Sequence, residues 1–182
     1  MTILGVIADT HVPDRVSRLE PRAVEVFRQA GVEAILHAGD VSVPRVLEEL
    51  GQIAPVHAVR GNRDIFSLAN LPLQIRLNIQ GVSIGMAHGH GTLKNYLVDK
   101  MRWMVSNTKY ERYIRRMLET FPDVDVIVFG HLHAPHNLHL EGKLVLNPGS
   151  ASFLWPRKYP PSVGLLEIGE GKRVEGEIIY LG

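Results

Sequence analysis

The first part of the chain alternates short apolar runs with segments of helical spacing. Residues 2–8 and 32–39 are short, continuous apolar runs, which is typical of strands covered on both faces, and a third strand is predicted at residues 55–61. Between the first two, Pro21 and the apolar positions after it predict a helix that ends at Gly31. A second helix is predicted over residues 43–51. This β-α-β-α-β order favours a parallel sheet with right-handed crossovers.

Beyond the third predicted strand the pattern changes. Two runs separated by Gln80 and Gly81 predict a β-hairpin over residues 73–88, whose second strand delivers His88. Helical spacing follows over residues 93–121, with a break at Asn107. Four later apolar runs predict strands, at residues 123–130, 143–147, 163–168 and 174–180. Because we find no repeat or linker, we predict a single α/β domain over residues 1–182.

Composition narrows the function classes. The 182 residues are 45% apolar and 21% charged, an ordinary globular balance, and a formal net charge of +1 gives no field that predicts nucleic acid or membrane as a partner. The chain has no cysteine, which excludes disulfides, zinc-thiolate sites and cysteine nucleophiles. The N-terminal run lacks a basic leader, and no run reaches transmembrane length, so we expect a cytoplasmic protein.

Metal-capable side chains follow five of the predicted strands. They are Asp9 and His11, Asp40, Asn62, His88, and the pair His131 and His133. Because loops at the carboxyl ends of strands gather at one edge of an α/β sheet, we expect these side chains to meet. Each motif alone is better explained as turn chemistry. Their joint occurrence at five strand ends favours one site.

Such a set of ligands suits a pair of metal ions. Two divalent ions roughly 3.5–4 Å apart clamp a phosphoryl group and ionise a water at neutral pH. Asp40 is the natural carboxylate to bridge them. Asp9, His11 and His133 would complete the shell of one ion; the other would take Asn62, His88 and His131. Imidazoles and carboxylates suit transition metals better than Mg or Ca, so we expect Mn first, with Ni, Co, Fe or Zn as alternatives.

The motifs, in this order, resemble the calcineurin-like metallophosphoesterases: "DTH" (9–11), "GD" (39–40), "GN" (61–62), "HGH" (88–90) and "GHLH" (130–133). "NPGS" (147–150) is similar to the small bacterial and archaeal phosphodiesterase branch. The resemblance spans residue 3 to about 155. It implies a four-layer α/β/β/α sandwich in which helices flank two mixed sheets, and it implies the same two ligand sets, with Asp40 shared.

Two positions depart from the family pattern. Many members read Gly-Asn-His before an acidic residue, whereas this chain reads "GNRD", and "GDVS" lacks an acidic residue found in many relatives. Arg63 cannot be a general acid because its guanidinium stays protonated, but it can clamp a phosphate oxygen. His90 is the candidate replacement donor. Asp64 either orients Asn62 or closes the turn. We predict catalytic roles for Arg63, His90 and Asp64.

Our leading hypothesis is a dimetal phosphodiesterase that acts on a small phosphoester. A metal-bridging hydroxide would attack phosphorus in line, and a missing acid would favour substrates with good leaving groups. The alternatives are a phosphomonoesterase and, from a different class, a protein-binding scaffold such as the retromer subunit of this fold. The apolar "SFLWP" at 152–156 could line either the cleft or a homo-oligomer interface.

Other histidines and cations have simpler explanations. We expect His37 and His57 to lie in the core, with His37 as a possible support for a ligand, and His136 and His139 to decorate a surface turn. The basic segment 94–116 is best explained as a solvated helix face, with a lid over an anionic substrate as the alternative. "NPGS" is either a simple turn or, as the family resemblance implies, a wall of the metal cleft.

Overall fold

Two five-stranded sheets form the centre of the protein. The computed structural model describes residues 1–66, 68–91, 110–152 and 159–182. In chain order, the described strands are β1 (Thr2–Ile7), β2 (Ala34–His37), β3 (Val56–Ala58), β4 (Gln74–Ile79), β5 (Val82–Ala87), β6 (Val126–Val128), β7 (Pro135–Leu140), β8 (Lys143–Pro148), β9 (Ser162–Ile168) and β10 (Val174–Tyr180).

Both sheets are mixed. The first has the order β10-β9-β1-β2-β3, and the second has the order β4-β5-β6-β8-β7. β1, β2 and β3 are parallel, as the β-α-β-α-β pattern predicts, while β9 and β10 add antiparallel strands on the other side of β1. In the second sheet β5, β6 and β8 are parallel, with β4 and β7 antiparallel at the edges. The parallel strands of both sheets therefore deliver loops to one edge of the sandwich.

The helices begin and end where the sequence signals lie. α1 (Pro21–Ala30) has proline in its first turn, and Gly31 ends it in the left-handed conformation at φ 62°. α2 (Pro44–Gly51) also begins with proline. α3 covers Tyr110–Thr120, and a short 3₁₀ turn covers Glu170–Lys172. The predictions for α1 and α2 are confirmed.

Three apolar clusters separate four layers. Leu4 and Val6 of β1 point inwards and pack against the facing sheet. Ile7 of the same strand points outwards, where it shares a cluster with Phe27 of α1. Met117 of α3 covers the outer face of the second sheet. Alternation along a strand thus supplies both faces of each sheet, and the predicted α/β/β/α sandwich is confirmed.

One strand was missed, and two predictions about histidines are wrong. His136 and His139 lie in β7, which pairs antiparallel with β8, and not in a surface turn. β7 is an edge strand, and its last four residues are exposed. It forms by backbone pairing and lacks the apolar pattern on which the prediction depended. β3 is also shorter than the predicted run over residues 55–61.

Some predictions fall outside the described residues. The predicted helix over 93–121 is described only from residue 110 onwards, so the break at Asn107 lies outside, as does most of "SFLWP". Within the four described ranges, no helix is long and apolar enough to cross a membrane. The assignment of residues 1–182 to one domain stays a prediction.

Candidate metal centre

The first ligand cluster joins the loops after β1 and β6. Nε2 of His133 lies 3.1 Å from Oδ1 of Asp9 and 3.1 Å from Nε2 of His11. Oδ1 of Asp9 lies 3.8 Å from Nε2 of His11. One oxygen and two imidazole nitrogens therefore face a common point, although Asp9 and His133 are far apart in sequence.

The second cluster joins the loops after β2, β3 and β5. Nε2 of His88 lies 3.4 Å from Oδ1 of Asp40 and 3.1 Å from Oδ1 of Asn62. Oδ1 of Asp9 is also 4.0 Å from Nε2 of His88. The ring centroid of His131 lies 5.1 Å from that of His88. All seven predicted ligands thus lie beside one another at one edge of the sandwich.

Two carboxylates stand between the clusters. Asp40 directs Oδ1 towards His88, and its Oδ2 lies 4.0 Å from Nδ1 of His11. Asp9 belongs to both groups of closely spaced ligands, and its Oδ1 lies 3.1 Å from Nε2 of His133 and 4.0 Å from Nε2 of His88. The sequence motifs predict only Asp40 as the carboxylate that bridges the two ions. That assignment stays a prediction, and the geometry adds Asp9 as a second candidate.

Backbone strain is concentrated on these ligands. Five of the seven have φ values between 49° and 70°, in the left-handed region that non-glycine residues avoid: Asp9, His11, Asp40, His131 and His133. Such conformations cost on the order of 1–3 kcal/mol each and persist only where the surroundings over-determine them. The strained backbone directs these side chains towards one place.

The buried polar atoms test whether the residues fit a metal. Within the described ranges, three buried side-chain atoms have no hydrogen-bond partner: Oδ1 of Asp9, Nδ1 of His11 and Nδ1 of His90. The 3.1 Å contact between Oδ1 of Asp9 and Nε2 of His133 does not have hydrogen-bond geometry. Buried polar atoms are normally paired, and an unpaired carboxylate oxygen is costly. A cation between the two clusters would supply the missing partner for Asp9. With nitrogen and oxygen donors only, the set fits a divalent transition metal.

A missing Cβ makes room for one carboxylate. A side chain at Gly61 would overlap Oδ1 and the backbone amide of Asp40. A side chain at Gly39, whose φ is 91°, would meet the ring of His88 at 2.7 Å. Both glycines let loops from different strands approach closely enough to place Asp40 beside His88.

The charges in the cluster displace the pKa values of its members. Burial raises the pKa of Asp9, but the combined effect of His133, His88 and His11 is larger and opposite. The pKa of Asp9 therefore lies well below its ordinary value. Burial raises the pKa of Asp40 above its ordinary value, against the opposing effect of His88. His88 lowers the pKa of both carboxylates, but the net shifts are opposite because burial outweighs the histidine at Asp40.

The pKa values of the histidines also shift in different directions. Burial lowers the pKa of His11 to about 4 and that of His131 to about 3. Burial alone would also lower the pKa of His88, but the carboxylates of Asp40 and Asp9 outweigh it and raise the value. At neutral pH His11 and His131 are neutral, as metal ligands must be, whereas the raised pKa of His88 favours its protonated form without a metal.

Buried contacts orient two of the ligand loops. Nδ1 of His88 donates to the carbonyl of Ala38 at 2.7 Å, which leaves Nε2 facing the cluster. Thr10 turns inwards and approaches Nε2 of His37 at 3.3 Å, and its hydroxyl donates to the carbonyl of Asp40. His37 accepts from the amide of Gly39 through Nδ1. His37 is therefore a support for the ligand loops.

Arg63 and Asp64 lie at the rim of the centre. The amide of Arg63 donates to Oδ1 of Asp40 at 2.9 Å, and its guanidinium lies 3.5 Å from Asp14 and 3.9 Å from Asp40. This side chain is 37% exposed. Asp64 is buried, and its two oxygens accept from the amides of Ser42 and Gly61. Of the two alternatives for Asp64, this geometry supports closing the turn, and a catalytic role stays a prediction.

His90 lies beside the cluster but is poorly suited to donate a proton. Its ring centroid is 5.4 Å from that of His88 and 6.2 Å from that of His131. Burial and the neighbouring cations lower the pKa of His90 to about 4. A general acid at neutral pH needs the protonated form, so this environment works against the predicted role.

Sequence reasoning missed two residues of α3. Nη1 of Arg116 donates to the carbonyl of Gly89 at 3.0 Å, so this half-buried cation braces the loop after β5 instead of facing solvent. The ring of Tyr113 lies 5.5 Å from that of His131. The interpretation of a solvated basic face is therefore wrong for Arg116. Its position at helical spacing from buried Tyr113 was the available signal.

"NPGS" supports the ligand loops from behind and does not wall the cleft. Asn147 is fully buried, and its side-chain amide donates to the carbonyl of Gly130 at 2.8 Å. Its Oδ1 accepts from the amide of Gly149. Ser150 is also buried and reaches the loop after β1. The expectation of a cleft wall is wrong because these polar groups face inwards.

Comparison with known proteins agrees with this geometry. A model of the calcineurin-like phosphoesterase superfamily domain matches residues 1–171. A probable metallophosphoesterase of Methanothermobacter thermautotrophicus is 36% identical over 180 residues, covering 99% of this chain and 93% of that protein. The chain belongs to the calcineurin-like phosphoesterase superfamily. This membership confirms the predicted class, a metal-dependent phosphoesterase.

Solved structures show that this calcineurin-like phosphoesterase shares its fold with two kinds of protein. A novel archaeal phosphodiesterase superposes with a TM-score of 0.66 at 22% identity, covering 98% of this chain and 100% of that one. Vps29 of Chaetomium thermophilum superposes with a TM-score of 0.73 at 20% identity, covering 98% and 96%. At these identities the likeness extends to the fold alone.

Proposed function

We propose that this calcineurin-like phosphoesterase is a phosphodiesterase that works with two divalent transition-metal ions, manganese foremost. The observation that carries the proposal is the pair of ligand clusters, with Asp9 in both and Asp40 directed towards both. The strained backbone of five ligands and the unpartnered Oδ1 of Asp9 support it. Bound ions would supply the charge that holds a phosphoryl group and would ionise a water to attack phosphorus in line.

The chain's own residues would hold and position the two ions. Asp9, His11 and His133 would bind one ion, and Asn62, His88 and His131 the other, with Asp40 between them. Arg63 is exposed at the rim and would clamp a non-bridging oxygen of the substrate. To do so it would exchange its contact with Asp14 for one with the phosphate.

The substrate class follows from the missing proton donor. Arg63 stays protonated, and the lowered pKa of His90 leaves its imidazole neutral at neutral pH. General acid catalysis typically contributes about 10²–10⁴-fold, and without it a poor leaving group departs slowly. We therefore propose a preference for small phosphodiesters with good leaving groups, such as aryl diesters. Phosphomonoesters are the competing substrate class.

A scaffold without activity is the competing function. Vps29 has this fold, and a protein-binding role would not require hydrolysis. It would also not require seven metal-capable side chains to meet at one edge, five of them on residues with a strained backbone. We therefore place the enzyme first. A cytoplasmic location and a homo-oligomeric state remain part of the proposal.

A matrix of metals and substrates tests this function. Apoprotein would be loaded with Mn, Ni, Co, Zn or Mg and offered aryl diesters, aryl monoesters and cyclic nucleotides. The proposal predicts hydrolysis of aryl diesters with Mn and a rate that falls steeply as the pKa of the leaving group rises. Full binding of Mn without hydrolysis of any ester would favour the scaffold, and faster turnover of monoesters would overturn the proposed substrate class.

A further inference from the structure

One backbone carbonyl beneath the proposed metal centre has two buried hydroxyl donors. The carbonyl oxygen of Asp9 accepts from Oγ of Ser150 at 2.9 Å and from Oγ of Ser152 at 3.1 Å. The two hydroxyl oxygens are 3.2 Å apart, and both serines are buried. Both lone pairs of this carbonyl are therefore occupied by side chains that lie about 140 residues further along the chain.

This carbonyl helps to hold the strained backbone conformation from which the Asp9 carboxylate projects. The carbonyl belongs to the rigid peptide plane between Asp9 and Thr10, so fixing it fixes ψ of Asp9. φ of Asp9 is 54°, and its amide is held by the carbonyl of Gly39 at 3.0 Å. A residue in this strained region returns to a common conformation unless its surroundings hold it.

The other contacts of Asp9 leave the serines without a substitute. Oδ2 accepts from the amide of His131 at 2.9 Å, while Oδ1 points into the cluster without a hydrogen-bond partner. Those contacts fix the carboxylate group and the amide, but they do not reach the carbonyl. Only the two serines are recorded as its donors in the described ranges.

We propose that Ser150 and Ser152 are positioning residues that act as a redundant pair, holding Asp9 in its strained, metal-directed conformation. The inference rests on the proposed function, since it assumes that Asp9 binds a metal. Redundancy follows from the geometry, because either hydroxyl alone still donates to the carbonyl. Loss of both leaves a buried carbonyl unpaired on a strained residue, so the two substitutions should reinforce each other.

The test compares the metal affinity of single and double variants. Ser150→Ala, Ser152→Ala and the double variant would be titrated with Mn²⁺ against a chelating indicator at fixed pH. We expect each single variant to weaken binding by less than about threefold and the double variant by about 10–100-fold, the range typical of outer-shell partners. The loss in the double variant should exceed the product of the two single losses.

Ser83→Ala is the matched control. Its hydroxyl donates to Asp125 at 2.6 Å at the start of β5, away from the ligand loops. The control should lose thermal stability, as the double variant does, but should keep the Mn²⁺ affinity of the wild type. An equal loss of affinity in the control would reduce the serine effect to general destabilisation and would overturn the inference.

The remaining outcomes separate this inference from the proposed function. Wild-type protein that binds Mn²⁺ and hydrolyses diesters, with a double variant of unchanged affinity, would refute the positioning role alone. A double variant that merely equals the product of the single losses would refute the redundancy. Wild-type protein that binds none of Mn²⁺, Ni²⁺, Co²⁺ and Zn²⁺ would overturn both proposals.

Discussion

Polar residues near the two ends of β5 have opposite environments. At the start of β5, Oδ2 of Asp125 accepts from both the amide and the hydroxyl of Ser83, and these bonds lower the pKa of Asp125. At the other end, Asp40 is buried beside His88, and burial raises its pKa. One carboxylate is stabilised as an anion by the fold, and the other is destabilised as an anion.

The two regions also differ in whether their polar atoms have hydrogen-bond partners. Around Asp125, Ser83 donates to the carboxylate and accepts from the Asp125 amide, and Lys143 donates to the carbonyls of Pro122 and Val124. In the ligand cluster, Asp9 keeps a buried oxygen without a donor, and its backbone is strained. A folded chain rarely leaves such groups unsatisfied unless a ligand completes them.

The largest expected effect is that of Asp40→Asn. The variant should lose Mn²⁺ affinity by more than about 100-fold, the upper range for outer-shell partners, and should lose hydrolysis with it. Its apoprotein should melt no lower than the wild type, because the substitution removes a buried charge that opposes folding. Metal titration and thermal melting of the two proteins check this. Asp125→Asn is the control and should bind Mn²⁺ with the affinity of the wild type. An equal loss of Mn²⁺ affinity in this control would contradict a specific role of Asp40.

Next in size is the effect of Gly61→Ala. The new Cβ would overlap both a carboxylate oxygen and the amide of Asp40, and overpacking of this kind costs about 1–3 kcal/mol or more. We expect a lower free energy of unfolding in urea and a loss of metal binding. Gly51→Ala is matched, since no atom lies within 4 Å of its added Cβ, and it should be neutral or slightly stabilising. Equal effects of the two would mean that the loops have room to spare.

The pH dependence of metal binding should be smaller. The raised pKa of His88 means that it retains a proton below that pKa, and the metal must displace it. His11 and His131 are already neutral, with pKa values of about 4 and 3. Affinity for Mn²⁺ should therefore rise with pH by up to about tenfold per unit below the pKa of His88 and level off above it. Titrations at several pH values would contradict this if affinity stayed constant.

The smallest effect should be that of Asp125→Asn on stability. Because the folded pKa of Asp125 is lowered, its contribution is present above the unfolded pKa of about 4 and is lost as the pH falls through the folded value. The group is close to solvent, so we expect less than about 1 kcal/mol at neutral pH. Urea unfolding at neutral and acid pH measures it. A variant that is more stable than the wild type at neutral pH would contradict the assigned sign.

The sequence was sufficient for the parts of the fold that bury an apolar face. β1, α1 and the hairpin of β4 and β5 follow from periodicity and from residues such as Pro21 and Gly31. β7 could not be predicted in the same way, because it is an edge strand formed by backbone pairing and its side chains carry little apolar pattern. The facing of the two sheets came from the family resemblance and not from periodicity.

In the candidate site, the ligands could be predicted from the sequence but the residues that support them could not. The seven ligands could be predicted because each follows a strand directly in sequence, and parallel strands share an edge. Their supports could not be predicted. Ser150 bonds to a residue about 140 positions away, and Arg116 reaches Gly89 from another element. Such contacts depend on how the layers pack, which no local spacing records.

Anomalous diffraction from crystals grown with manganese tests the central claim most directly, because it locates the ions themselves. The account predicts two peaks roughly 3.5–4 Å apart, one beside His11 and His133 and the other beside Asn62 and His88, with the carboxylate of Asp40 or Asp9 between them. A single peak, or peaks bound outside these side chains, would contradict it.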